Sequence, residues 1–245
     1  MRYFITSDIH SFYEPFVNEL NVKGFDKNKD ILIILGDLFD RGPDSKKLLD
    51  FLTTLNDLNH LILIKGNHED LLEDCLEELK NRKEISLHHI SNKTIDTISQ
   101  LTDTPKEDLL EGEYDYQIIE TKLKKYFKLV DQAKDYYEID NYIFVHGWIP
   151  TINNYEDLHK CSKEEWAKAR WYNGMERWNF GSTLKDKIIV CGHWNTSYGN
   201  CYYHNKGSAE FSKDADFEIF EDEGIIALDA ATVFSGKVNV KVLEI

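Results

Sequence analysis

The segment ILIILGDLFDRG, residues 31–42, runs five apolar residues without a break into a cluster of Gly, Asp and Arg. An unbroken Ile/Leu run of this length predicts a strand buried on both faces, as in parallel sheets covered by helices. Asp37 follows directly and so stands at the strand's carboxyl end, where open α/β sheets place their ligands. With two carboxylate oxygens it can bridge two cations, and Asp40, Arg41 and Gly42 complete the turn.

Outward from this segment the same pattern recurs. RYFIT runs into SDIH, LILIK into GNHE, NYIFV into HGW, and KIIV into CGHW. Each is a short apolar run closed by a Gly/Asp/His/Asn cluster. GIIALDAA and KVNVKVLEI follow, the second alternating with period two as a half-buried strand does. Helical spacing fills the intervals. Pro43 reads as a first-turn residue before KKLLDFLTTLNDL, EDLLEDCLEEL follows GNH, and capping boxes are expected at 104–107 and 162–165, led by Thr104 and Ser162. The alternation predicts an α/β (α+β) fold and one domain over residues 1–245. A polar, mostly helical stretch at about 75–133 reads as a helical insertion, and residues 194–223 read as a long loop.

The chain carries 29 Lys+Arg against 44 Asp+Glu, a net charge of −15. Such a surface disfavours stable nucleic-acid partners and anionic membranes, which both require phosphate neutralisation by cationic side chains. No stretch approaches the ~18 apolar residues of a membrane span. The N-terminal MRYFITSDIH has no basic region followed by a long apolar one, so a cytoplasmic location is expected. Cys75, Cys161, Cys191 and Cys201 show no CxxC pattern, which disfavours a disulfide framework or thiolate zinc site.

The strand-end clusters supply the chemistry. Asp8 and His10 are two apart, and in extended chain both would face one cation. The Asn67 carbonyl suits a hard metal, and the adjacent His68 suits proton transfer. His146 and His193 each follow an apolar run. Asp8, His10, Asp37, Asn67, His146 and His193 form an N/O donor set without thiolate, suited to Mn, Fe or Zn. Divided around Asp37, they could hold two cations ~3.5–4 Å apart, the arrangement that clamps attacking and leaving oxygens in phosphoryl displacement. His60, His88, His89, His159 and His204 lie outside this pattern and are read as non-ligands.

In this order SDIH, GDLFDRG, GNHE, HGW and GHW resemble the calcineurin-like metallophosphoesterases. The closer resemblance is to the phosphoprotein phosphatase branch, which includes bacterial Ser/Thr phosphatases and diadenosine tetraphosphatases. It extends from Asp8 to Asp229. The resemblance implies a metallophosphoesterase fold, a central β-sandwich flanked by helices, and two divalent metal ions, manganese first with iron or zinc as alternatives. It puts Asp8, His10 and Asp37 on one ion, and Asp37, Asn67, His146 and His193 on the other. His68 is then the general acid, oriented by Asp40, and Arg41 binds phosphate oxygens. Asp229 is structural. For a second phosphate-binding cation, EEWAKARWYNG points to Arg170, with Lys168 behind it. Two departures stand out: Trp148 after His146-Gly147, and Trp194 after His193, place indoles beside expected ligands and suggest a pocket shaped for a particular substrate. All five tryptophans fall between these two motifs. A core role for them is favoured over an aromatic platform for a base. The first functional expectation is a Ser/Thr protein phosphatase acting on a phosphorylated protein. The alternative is a dinucleoside polyphosphate hydrolase or nucleotide phosphatase, and a non-catalytic regulatory protein is more remote.

Overall fold

The computed structural model describes every residue except Asn153 and Ala209. Strands β1 (Arg2–Thr6), β2 (Ile31–Ile34) and β3 (Leu61–Leu63) are parallel, and β9 (Lys241–Glu244) closes the sheet antiparallel to β1, in the order β3-β2-β1-β9. The second sheet has β5 (Tyr142–Phe144), β6 (Ile188–Cys191) and β8 (Ile225–Ala227) in parallel. β4 (Tyr137–Ile139) and β7 (Phe220–Asp222) are its antiparallel edges, in the order β4-β5-β6-β8-β7.

Successive side chains on a strand face opposite ways, and this alternation builds three apolar layers. Ile5, Ile33, Phe144, Val190, Ile226 and Leu228 meet between the sheets. Their neighbours Phe4, Leu32 and Ile34 turn outward onto helices α1 (Tyr13–Val22), α2 (Ser45–Asp57) and α3 (Asn67–Lys80). On the other side Ile143, Val145, Ile189, Cys191, Ile225 and Ala227 pack on a second helical layer that includes α9 (Lys163–Ala169) and α10 (Gly174–Asn179). The result is the expected β-sandwich flanked by helices. The β2 run is apolar throughout because each of its residues enters one core or the other.

Between α3 and β4 lie α4 (Leu87–Ser91), α5 (Thr94–Thr102), α6 (Lys106–Glu111), α7 (Tyr116–Lys122) and α8 (Lys124–Val130), in the stretch the sequence reads as a helical insertion. Residues 194–223 are not one loop. They contain α11 (Thr196–Tyr202) and β7. The buried side of α11 is Thr196, Ser197, Gly199 and Asn200, so no apolar periodicity announces it. Asn200 instead donates its amide to the carbonyls of Asp216 and Glu218.

Ser162 forms the expected capping box with Glu165. Thr104 does not, because α6 starts only at Lys106, after Pro105. The residue before a proline is driven out of helical geometry, and the Thr104 hydroxyl accepts from Thr102 instead. Pro43 also stays outside its helix, since the Asp44 amide is held by the Ser11 carbonyl and α2 begins at Ser45. Among the described residues no helix is long and apolar enough to cross a membrane.

Candidate active site

Asp8, Asp37, Asn67, His146, His193 and Asp229 each lie two to four residues beyond the carboxyl end of β1, β2, β3, β5, β6 and β8 respectively. The turns that carry them are unusual. Asp8, His10, Asp37, Asp40, Arg41 and His193 have φ between 50° and 71°, a region that non-glycine residues enter at a cost. Gly36 precedes Asp37 with φ +91°, and a Cβ there would sit 2.5 Å from the Gly66 Cα, so the two loops touch through glycine backbone.

Two groups of donor atoms form around one carboxylate. His10, Asp37 and His68 make the first, and Asp37, His146 and His193 the second. His10 Nε2 and His68 Nε2 lie 3.8 and 3.9 Å from Asp37 Oδ2, and His146 Nε2 lies 3.3 Å from Oδ1. The Nδ1 atom of His10 donates to the Phe39 carbonyl and that of His146 to the Leu35 carbonyl. Each ring thereby turns its Nε2 lone pair toward Asp37, as metal-binding histidines do. Asn67 Oδ1 joins the second group, 2.8 Å from His146 Nε2. Imidazole, carboxylate and amide oxygen without thiolate are a donor set that fits divalent cations.

The ionisation pattern agrees with this. Burial holds His10 well below its ordinary pKa, and burial followed by His146 lowers His193 to about 3, so both rings are neutral and can ligate. Burial pushes Asp37 up, but the surrounding imidazoles outweigh it and keep the carboxyl ionised. Asp8 and Asp229 are raised well above the carboxylate range, first by burial and then by Asp37 and Asp8 respectively. A cation would draw their protons off.

Beside the metal-type groups stands a second arrangement. His68 Nδ1 lies 2.7 Å from Asp40 Oδ2. Asp40 is fully buried and also accepts from the Thr94 and Thr97 hydroxyls, both at 2.8 Å. Burial would lower the His68 pKa, but Asp37 and Asp40 outweigh it and raise it. Arg41 reaches across, with Nη1 2.8 Å from His10 Nε2 and Nη2 2.9 Å from His68 Nε2.

The structure departs from three expectations. Asp8 and His10 do not share a face of extended chain, because both adopt left-handed backbone. Asp8 lies outside both donor groups, and its Oδ2 accepts from Ser7 and from the His193 amide. Arg170 is not brought to the site, since its guanidinium pairs with Asp70 and Asp135 in a different cavity. Trp148 does not shape the pocket. It is 1% exposed and packs in the core under the second sheet, with its indole N–H on the Ser182 carbonyl. Trp166 is likewise core, whereas Trp194 does line the site.

Some contributors escaped the sequence reading. Glu69 accepts from the backbone amides of Asp37, Leu38 and Gly66 at 3.0, 2.9 and 2.7 Å, and so ties the two metal-type loops together. Its place in GNHE was the only signal. Thr94 and Thr97 come from α5, and Asn92, whose Oδ1 lies 3.4 Å from Arg41 Nη2, from the turn between α4 and α5, and none carries a local signal. A cavity of about 400 Å³ opens beside His10, Arg41 and His193 and is also lined by Trp194, Glu210, Phe211 and Phe234.

A family model described as calcineurin-like phosphoesterase matches residues 1–228. The chain belongs to that family. The family works with divalent metal ions, and the two donor groups around Asp37 are where this phosphoesterase would hold them. A symmetrical bis(5'-nucleosyl)-tetraphosphatase from Nitrosospira multiformis is 32% identical over 114 residues, covering 45% of this chain and 36% of that protein. This phosphoesterase therefore spans about a third of the length of such relatives. A candidate diadenosine tetraphosphatase of known structure shares the fold with a TM-score of 0.56 at 17% identity, covering 99% of this chain and 89% of that one. A Ser/Thr protein phosphatase from Saccharomyces cerevisiae does so with a TM-score of 0.51 at 14% identity, covering 100% and 80%.

Proposed function

We propose that this phosphoesterase hydrolyses dinucleoside polyphosphates, with two divalent cations, manganese first, held by His10, Asp37, Asn67, His146 and His193 and with Asp8 nearby. This reverses the order reached from the sequence, where a Ser/Thr protein phosphatase came first. The observation that carries the reversal is the set of relatives above the 30% identity level, which are named symmetrical bis(5'-nucleosyl)-tetraphosphatases. The likeness to a protein phosphatase lies in the fold only, at 14% identity. The aromatic lining of the cavity beside the donor groups also suits a nucleotide better than a phosphoserine side chain.

The bound cations supply charge neutralisation and an acidified water in this class of chemistry. The protein's own residues do the rest. Arg41 binds the non-bridging phosphate oxygens. Its present contact with His68 Nε2 requires a neutral imidazole, so its departure to the phosphate frees that nitrogen to carry a proton. Asp40 stabilises the imidazolium through Nδ1, fixed in turn by Thr94 and Thr97. As the bond from phosphorus to the leaving oxygen breaks, His68 Nε2 donates its proton to that oxygen. The test is a manganese-reconstituted comparison of kcat/KM on diadenosine tetraphosphate and on phosphoserine peptides. Preference for the peptide, or no turnover of the dinucleotide, would overturn the reading.

A further inference from the structure

The cavity beside the donor groups has two unlike ends. At the buried end stand His10, Arg41 and His193. At the open end three large aromatics face solvent, with Trp194 36%, Phe211 54% and Phe234 59% exposed. Phe211 and Phe234 meet edge to face at 5.5 Å. Trp194 is pinned by its indole N–H on Glu210 Oε1 at 3.1 Å, and the same oxygen accepts from the Asn195 amide at 3.3 Å. The Glu210 carbonyl accepts from Ser197, so the acidic side chain springs from an anchored backbone.

A carboxylate at the open end repels phosphate, so the substrate part that lies there is not anionic. Exposed flat apolar surfaces beside a fixed acceptor call for a flat neutral group with N–H donors. A ligand anionic at one end and of that kind at the other is a nucleotide. We propose that Trp194, Phe211 and Phe234 form a nucleobase subsite in which Glu210 selects guanine. This inference rests on the dinucleoside reading above. The choice of base follows from hydrogen-bond chemistry. Glu210 retains acceptor capacity beyond the two N–H groups it holds. Guanine presents two adjacent donors, its N1–H and its amino group, to a carboxylate. Adenine offers one amino group flanked by ring nitrogens whose lone pairs would oppose the carboxylate.

Titration calorimetry of the manganese-loaded protein tests this with 5'-GMP, 5'-AMP, ribose 5-phosphate and phenyl phosphate. AMP should bind about tenfold tighter than ribose 5-phosphate, in line with one stacked base, and GMP about tenfold tighter again, in line with a hydrogen bond to a charged group. Phe234→Ala should remove most of the advantage of GMP over ribose 5-phosphate. Glu210→Gln, which keeps an acceptor for Trp194, should bring GMP and AMP close together while leaving both ahead of ribose 5-phosphate. Equal binding of GMP and ribose 5-phosphate would overturn the subsite, as would phenyl phosphate binding as tightly as GMP. If dinucleoside tetraphosphates are turned over at the same kcat/KM whatever their base, and Phe234→Ala changes nothing, the subsite is wrong while the dinucleoside reading stands. If phosphopeptides alone are turned over, the dinucleoside reading fails, and GMP binding then decides the subsite separately.

Discussion

Replacing Glu69 by glutamine keeps the shape of the side chain and removes one acceptor, which makes it a direct test of how the site is assembled. The buried carboxylate receives three amide N–H groups, from Asp37 and Gly66 on Oε2 and from Leu38 on Oε1. In the variant the amide oxygen can take the place of Oε2 and keep two of the three bonds, now without charge, while the NH2 group faces the Leu38 N–H. Two buried donors, the Leu38 N–H and the new NH2 group, are left facing each other without an acceptor, at about 1–3 kcal/mol each, and two charge-assisted bonds weaken by roughly 1 kcal/mol each. Against this, the repulsion between Glu69 and Asp37, which together with burial raises the Glu69 pKa, disappears. That relief is available only while Asp37 is not neutralised by cations. The expected loss is therefore about 4–8 kcal/mol in the metal-loaded protein, or roughly 15 °C in Tm for a chain of this size, and less in EDTA. Thermal unfolding of both proteins with and without manganese measures it. A variant within 2 °C of the parent under both conditions would show that the carboxylate does not hold the Asp37 and Gly66 loops together.

Three further outcomes follow from the same geometry. Asp37→Asn should lose at least one metal ion per chain by elemental analysis, because Asp37 belongs to both donor groups; full stoichiometry would remove it from the bridging position. His68→Asn should keep at least the metal ion of the Asp37, Asn67, His146 and His193 group yet lose about 10²–10⁴ in kcat on an alkyl phosphate such as phosphoserine, and within about tenfold on p-nitrophenyl phosphate, whose oxygen leaves without help from an acid. Equal losses on both would mean that His68 does not protonate the leaving group. In metal-free protein the lowered His193 pKa, about 3 against 6.5 unfolded, contributes stability that is full above about pH 6.5 and is lost as pH falls toward 3. Between pH 7 and pH 5 the parent should thus lose about 2 kcal/mol more than His193→Ala in urea unfolding, and matching losses would show that this imidazole is not held neutral.

Much of this was legible in the chain because the strands are buried on both faces. ILII, YIF and IIVC are apolar at every position, since alternate residues enter different cores, and a polar residue after such a run is conspicuous. That is why Asp37, His146 and His193, each weak when read alone, could be read together as one set of strand-end residues. Elements whose buried side is polar stayed hidden. Helix α11 covers Thr196, Ser197 and Asn200 and reads as loop, and β4 is a half-exposed edge. Arg170 was placed by local likeness, but a cation settles where its counter-charges are, and Asp70 and Asp135 come from distant parts of the chain. Trp148 follows a site histidine in sequence, yet at Gly147 the backbone packs so closely on Ala169 and Arg170 that the next side chain goes into the core.

The backbone of the site explains why its support extends so far from the motifs. Six site residues sit in left-handed geometry, and at about 1 kcal/mol or more each the strain approaches the whole stability of a typical domain, about 5–15 kcal/mol. Such turns persist only when the surroundings over-determine them. For Asp37 that support is Glu69, from α3. For Asp40 it is Thr97, whose hydroxyl accepts from the Asp40 amide at 3.0 Å and donates to its carboxylate, with Thr94 on the other oxygen. Both threonines belong to α5, inside the stretch that looks like a polar addition when read along the chain. Residues 94–102 are thus part of the structure that aims His68, and loosening α5 should disturb proton transfer before it disturbs the metal-type donors. The sequence separates Thr94 and Thr97 from Asp40 by more than fifty residues, but the hydrogen bonds do not separate them at all.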